Sequence, residues 1–218
     1  MPREVTLAQM QRWLLLYADR IDEEKDQLTA LDAAIGDADH GVNMQNGMEK
    51  MRQRIEEIVE CADIGVFLRT IAMTLISSIG GAAGPLYGVF FLRAAKEATP
   101  GDSIRLEELS RMFQVGLESI QQRGDAKLGD KTMVDALAPA IAALDSATEA
   151  GRTVTDALDE ARRAAEAGML ATIEMEAQKG RASYLGPRSI GHQDPGATSA
   201  YLLIEAAAAT LGQSEDAG

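Results

Sequence analysis

The sequence predicts an all-α fold: a single-domain barrel or bundle of about eight antiparallel helices joined mainly by short loops. Three observations predict it. Apolar residues recur at threes and fours along most of the chain, the period of one helical face. No alternating run bounded by turn signals occurs, and aromatic residues, which strands favour, are only 4 %. Glycine-rich stretches interrupt the helical pattern at a few places only, and such stretches are where function collects.

Thr6-Leu-Ala-Gln9 reads as a capping box, followed by Met10, Trp13, Leu14, Tyr17 and Ile21 at helical spacing. A second helix is predicted through Leu28, Leu31 and Ile35, stopping at Gly36. Met44, Met48, Met51, Ile55 and Ile58 form the apolar face of a third, with Asn43 or Asp39 as its N-cap. Helices over Ile64 to Ile79 and Pro85 to Ala98 follow, then a turn at Pro100-Gly-Asp-Ser103. Leu106 to Ile120 carries the next apolar face and ends near Gly124. Met133 to Thr148 contains Pro139 in its first turns, and Val154 to Ala177 is rich in strong helix formers. Residues 180–196 are irregular. A last helix runs through Tyr201, Leu202 and Leu211, residues 1–212 forming the domain and 213–218 a frayed tail.

Lys and Arg number 21 and Asp and Glu 34 among 218 residues, a formal charge of −13. That balance argues against nucleic acid as partner, since its binding rests on cationic neutralisation of phosphates, and against an anionic membrane surface. The single cysteine, Cys61, points to a reducing, cytoplasmic setting, and the N-terminus shows no signal region. Thr70 to Leu92 lacks charge over a length that could span a bilayer, but Gly80-Gly81 and Gly84-Pro85 divide it into two helices too short to cross.

The most chemically loaded stretch is Asp32-Ala-Ala-Ile-Gly36-Asp37-Ala38-Asp39-His40-Gly41-Val42-Asn43. Carboxylates at 32, 37 and 39 repel one another unless a cation joins them, and hard oxygen ligands select Mg²⁺ or Ca²⁺. An EF-hand frame fails, because Gly41 and Met48 would fall at ligand positions. Capping by Gly36 and Asp39 with the acids solvated is the bland alternative. Gly80-Gly81-Ala82-Ala83-Gly84-Pro85 opens a helix, and such N-termini favour phosphate; a tight core turn explains it equally well. Gly129-Asp130-Lys131-Thr132 approaches a P-loop, but Asp130 separates the Gly from the Lys and no strand precedes it. The loop from Gly124 to Met133 reads either as a pocket wall for an adenine or as a polar connection. Arg181 to Gly196 is the one flexible basic stretch and suits a clamp over an anion, with Asp194-Pro195 also fitting the start of the final helix.

Together these segments resemble the nucleotide-binding (L) subunit of the bacterial dihydroxyacetone kinases. The resemblance rests on Gly36-Asp-Ala-Asp-His-Gly41 with Asn43, Gly80-Gly-Ala-Ala-Gly-Pro-Leu-Tyr-Gly88, Gly129-Asp-Lys-Thr-Met133, Arg181-Ala-Ser-Tyr-Leu-Gly186 and Gly191-His-Gln-Asp-Pro-Gly-Ala-Thr198. It covers the whole chain and implies a stand-alone subunit, without the dihydroxyacetone-binding domain of single-chain kinases. It further implies an ADP/ATP and two-Mg²⁺ site at one end of the helical barrel. Asp32, Asp37 and Asp39 would hold the metals. His40, Gly41 and Asn43 would line the nucleotide, with Gly81, Ala82 and Ala83 at the phosphates and Gly124 and Met133 bordering the adenine. Arg181 and Asp194-Pro195-Gly196 would close the site. No catalytic residue is implied beyond the metal site. A hydroxyl residue is expected at the position of Ala83, so phosphate contacts there fall to backbone N–H groups.

The activity implied is phosphotransferase-system-dependent. ADP stays bound, a phosphohistidine donor subunit rephosphorylates it, and the phosphoryl group passes to dihydroxyacetone on a separate kinase subunit. The alternatives are a free-ATP kinase subunit for dihydroxyacetone or a related ketose, and a non-catalytic metal- or nucleotide-sensing interaction protein. The sequence leaves the oligomeric state, a homodimer included, open.

Overall fold

The protein is described by a computed structural model covering residues 4–58 and 61–213. Helix α1 spans Leu7–Ile35 as one element of 29 residues, where the apolar pattern predicts two. The pattern lapses at Asp22-Glu-Glu-Lys-Asp-Gln27 because that stretch faces outward, not because the helix stops; nothing there breaks a helix. The capping box holds as expected. Thr6 Oγ1 accepts from Gln9 N at 3.3 Å, and the Gln9 side chain accepts from Thr6 N at 2.7 Å.

The remaining helices are α2 (His40–Glu57), α3 (Ile64–Ser78), α4 (Ala83–Glu97), α5 (Leu106–Gly124), α6 (Met133–Glu149), α7 (Val154–Ala171) and α8 (Pro195–Thr210). Each packs on the next, and α8 returns to α1, so the described residues close into a ring of eight helices, α8 also touching α6. One apolar cluster runs from Val5 to Leu211 through all eight. Trp13 sits inside it, stacked on Phe113 with centroids 5.5 Å apart, and its Nε1 donates to Leu203 O at 2.8 Å. No described helix is long and apolar enough to cross a membrane.

Three boundaries differ from the sequence reading. A two-stranded antiparallel sheet joins β1 (Glu4–Thr6) to β2 (Ser103–Arg105), pairing buried Val5 with buried Ile104; three-residue strands are too short to leave an alternating signature. Helix α7 stops at Ala171 rather than Ala177, giving way to a 3₁₀ turn over Thr172–Glu174. Residues Arg181–Ser189 are 3₁₀-helical, broken at Gly186, inside the stretch expected to be irregular. The N-cap of α2 is Asp39 by position, without a side-chain capping bond, and Asn43 lies within the helix. Of the expected tail, Gln213 accepts from Gln9 Nε2 at 2.7 Å, and 214–218 lie outside the described residues.

Candidate functional site

Because neighbouring helices alternate in direction, the N-termini of α2, α4, α6 and α8 gather at one end of the ring. Their first residues, His40, Ala83, Met133 and Pro195, all line one cavity of about 500 Å³. Helix N-termini present unpaired N–H groups and the positive end of the helix dipole. Four of them on one cavity favour an anion there, and α4 opens without any side-chain cap, whereas Asp32, the Thr132–Asp135 capping box and Asp194 already accept N–H groups at the starts of α2, α6 and α8.

The acidic loop forms one wall. Asp32, buried in the last turn of α1, accepts the backbone N–H of Asp39 at 2.9 Å and of His40 at 3.2 Å through Oδ2. Gly36 makes room for this carboxylate: a Cβ there would lie 2.1 Å from Asp32 Oδ1. Ala38 takes a left-handed φ of 62° between Asp37 and Asp39. One carboxylate oxygen from each of Asp32, Asp37 and Asp39 lies within 4.8 Å of the others. Their one salt-bridge partner among the described residues is Arg181, 3.0 Å from Asp37 and largely exposed. Three converging hard oxygen donors with so little cationic compensation fit Mg²⁺.

His40 opens α2 beside this wall. Its Nε2 lies 3.0 Å from Ser199 Oγ, which also receives the Tyr87 hydroxyl at 2.9 Å and contacts Gly196 O at 3.1 Å. Burial pushes the His40 pKa down, Asp32 and Asp39 opposing it, and burial pushes the Tyr87 hydroxyl up to about 12. Gly41 does not line the cavity. It is buried against α1, where a Cβ would meet Lys25 O at 2.2 Å, so its lack of a side chain sets the approach of α2 to α1. Every other residue given a binding or metal role from the sequence lies on the cavity: Asp32, Asp37, Asp39, His40, Asn43, Gly81, Ala82, Ala83, Gly124, Met133, Arg181, Asp194, Pro195 and Gly196.

The opposite wall depends on Lys131, which carries no site role in the sequence reading, and on Asp194, which does. Lys131 lines the cavity yet is 1 % exposed, with φ 62°. Its Nζ donates to Thr172 O at 2.6 Å, Met175 O at 3.1 Å and the carbonyl of His192, using all three ammonium protons. Burial holds its pKa below the usual lysine value. Asp194 caps α8 by accepting from Ala197 N at 2.7 Å, and burial raises its carboxyl to about 7. Tyr87 and Ser199 also went unmarked. The only available signals were the Tyr in the Gly80–Gly88 segment and the Lys within Gly129–Met133.

The DAK2 domain profile matches residues 34–209. The ADP-binding subunit of the PEP-dependent dihydroxyacetone kinase of Escherichia coli (strain K12) is 47 % identical over 197 residues, 90 % of this chain and 93 % of that protein. The ADP-binding subunit of the PTS-dependent dihydroxyacetone kinase of Lactococcus lactis is 43 % identical over 88 % of this chain and 92 % of its own length. Triokinase/FMN cyclase of Homo sapiens is 34 % identical over 84 % of this chain, which spans 31 % of that protein. In fold, the chain resembles the dihydroxyacetone kinase of C. freundii, with a TM-score of 0.71 at 24 % identity; the match covers 93 % of this chain and 34 % of that one. On the profile match and the identities to near-full-length relatives, this chain belongs to the DAK2 domain family.

Proposed function

We propose that this protein is the ADP/ATP-binding phosphoryl-transfer subunit of a cytoplasmic, phosphotransferase-system-dependent dihydroxyacetone kinase. The observation that carries the reading is the cavity, where four helix N-termini suited to phosphate face a three-carboxylate wall suited to divalent metal. The kinase-subunit names of the relatives at 43–47 % identity support it.

In this reading Asp32, Asp37 and Asp39 would hold two Mg²⁺, which would supply positive charge to neutralise the phosphates. The Gly81-Ala82-Ala83 turn offers backbone N–H groups to the phosphates. Gly124 and Met133 border the adenine, His40 and Asn43 line the nucleotide, and Arg181 with Asp194-Pro195-Gly196 closes the mouth. The phosphoryl group leaves a phosphohistidine nitrogen on a donor subunit and ends on a hydroxyl of dihydroxyacetone held by a separate kinase subunit. Groups on that subunit take the hydroxyl proton, so this chain supplies positioning and electrostatic stabilisation rather than a general base.

Native mass spectrometry of protein purified without added nucleotide tests the coenzyme role. The expected mass exceeds the chain by one ADP and two divalent ions, retained through gel filtration. Protein that emerges nucleotide-free and binds ATP weakly and reversibly overturns the coenzyme role in favour of a free-ATP kinase subunit.

A further inference from the structure

We propose that Ser199 is a positioning residue that fixes a proton on His40 Nε2, so that wherever the imidazole is neutral His40 meets the ligand through Nδ1 as a hydrogen-bond acceptor. Ser199 is fully buried in α8, and three groups converge on its hydroxyl: Tyr87 Oη at 2.9 Å, His40 Nε2 at 3.0 Å and Gly196 O at 3.1 Å. A serine hydroxyl has one proton and two lone pairs. The Gly196 carbonyl can only accept, so that contact takes the proton. Tyr87 then donates into one lone pair, and the other is left for His40, which fills it only with an Nε2–H. If Ser199 instead donated to His40, two oxygens would face each other at 3.1 Å with no proton between them. The relay thus ties three of the four helices that begin at the cavity, α2, α4 and α8, through one hydroxyl.

Among the described residues no group hydrogen-bonds Nδ1. An unprotonated ring nitrogen takes a hydroxyl, amine or water proton and gives nothing to a phosphate oxygen, which needs a donor. His40 therefore serves the sugar or hydrated side of the ligand, leaving the phosphates to the helix N-termini and Arg181. The identity of that ligand rests on the nucleotide reading above; the tautomer does not.

The test is a long-range proton–nitrogen correlation spectrum of the imidazole in ligand-free His192→Gln protein, which leaves His40 as the one histidine. At about pH 8 a histidine of ordinary pKa is neutral. The expected result is a protonated Nε2 and an unprotonated Nδ1, with Ser199→Ala giving a mixture of tautomers. A proton on Nδ1 in the protein with Ser199 intact overturns the assignment, whether or not Ser199→Ala folds. Adding ADP with Mg²⁺ should then move the Nδ1 resonance. Binding that leaves Nδ1 unmoved sinks the acceptor role while the nucleotide reading stands. Failure of ADP to bind sinks the nucleotide reading, and the tautomer in the free protein stands as assigned.

Discussion

Asp194 illustrates how much a single residue's environment can decide. Its carboxyl is buried at the start of α8, and burial raises its pKa from 3.8 to about 7; Asp135 and Asp32 add to the rise, while the Ala197 N–H and Lys131 oppose it. A group with a raised folded-state pKa binds its proton more tightly folded than unfolded. Its contribution to stability is therefore present at low pH and lost as pH climbs from about 4 through about 7. Asp194→Asn keeps a capping side chain without the titration. In urea unfolding of metal-free protein, the variant should gain stability relative to wild type as pH rises from about 4 to about 7; parallel profiles would refute the buried-carboxyl assignment. Asp194, like Asp32, Asp37 and Asp39, was legible because its signals are local: an Asp before a Pro, or acids spaced by glycines. Ser199 and Tyr87 were not, since their partners lie 159 and 112 residues apart, and no spacing rule spans such separations.

At the level of elements, helical periodicity found each helix, and the errors share one cause. Sequence periodicity reports which face is buried, not where backbone hydrogen bonds go. It split α1 where charge faces solvent, although Asp19 and Asp22 there hold Arg52 of α2 at 2.5 and 2.8 Å. It ran α7 on past Ala171, where Lys131 takes the carbonyls of Thr172 and Met175 and the Thr172 hydroxyl accepts from Asp194 N. One buried ammonium thus pins the segment between α7 and α8 that carries Arg181, assisted by Gln178 N donating to Asp130 O at 3.0 Å. Lys131→Met removes a charged donor from three carbonyls. Leaving buried acceptors unmatched costs about 1–3 kcal/mol each, less where solvent reaches them. The expected outcome is a loss of about 2–4 kcal/mol, with hydrogen exchange accelerated chiefly across residues 172–193. Acceleration spread evenly over all helices would argue that Lys131 is an ordinary core residue and not the anchor of that segment.

For the molecule as a whole, an even-numbered ring of alternating helices sorts electrostatics by end. The cavity end collects the N-termini of α2, α4, α6 and α8, while the C-terminal end of α1 brings Asp32 into the acidic wall. On the proposed function, a diphosphate and a divalent cation would each be drawn to part of the same cavity, and each would be opposed by the rest of it. ADP alone meets three carboxylates and a chain of net charge −13; the metal alone meets the positive ends of four helices. On the proposed function, two Mg²⁺ would bring four positive charges against about six negative ones on the three carboxylates and ADP, so each ligand would remove the other's main penalty. Binding should be strongly coupled. In thermal melts, ADP with a chelator and Mg²⁺ alone should each shift the midpoint little. With Mg²⁺ saturating, ADP at about 100 times its dissociation constant should add about 2.7 kcal/mol, or roughly 5–10 °C for a domain of this size. Asp37→Asn should abolish the joint shift while leaving the metal-free midpoint equal or slightly higher, because it removes a mutually repelling charge. Shifts that are merely additive in the wild type, or a joint shift that survives Asp37→Asn, would separate the metal wall from the phosphate wall and undo the single-site reading.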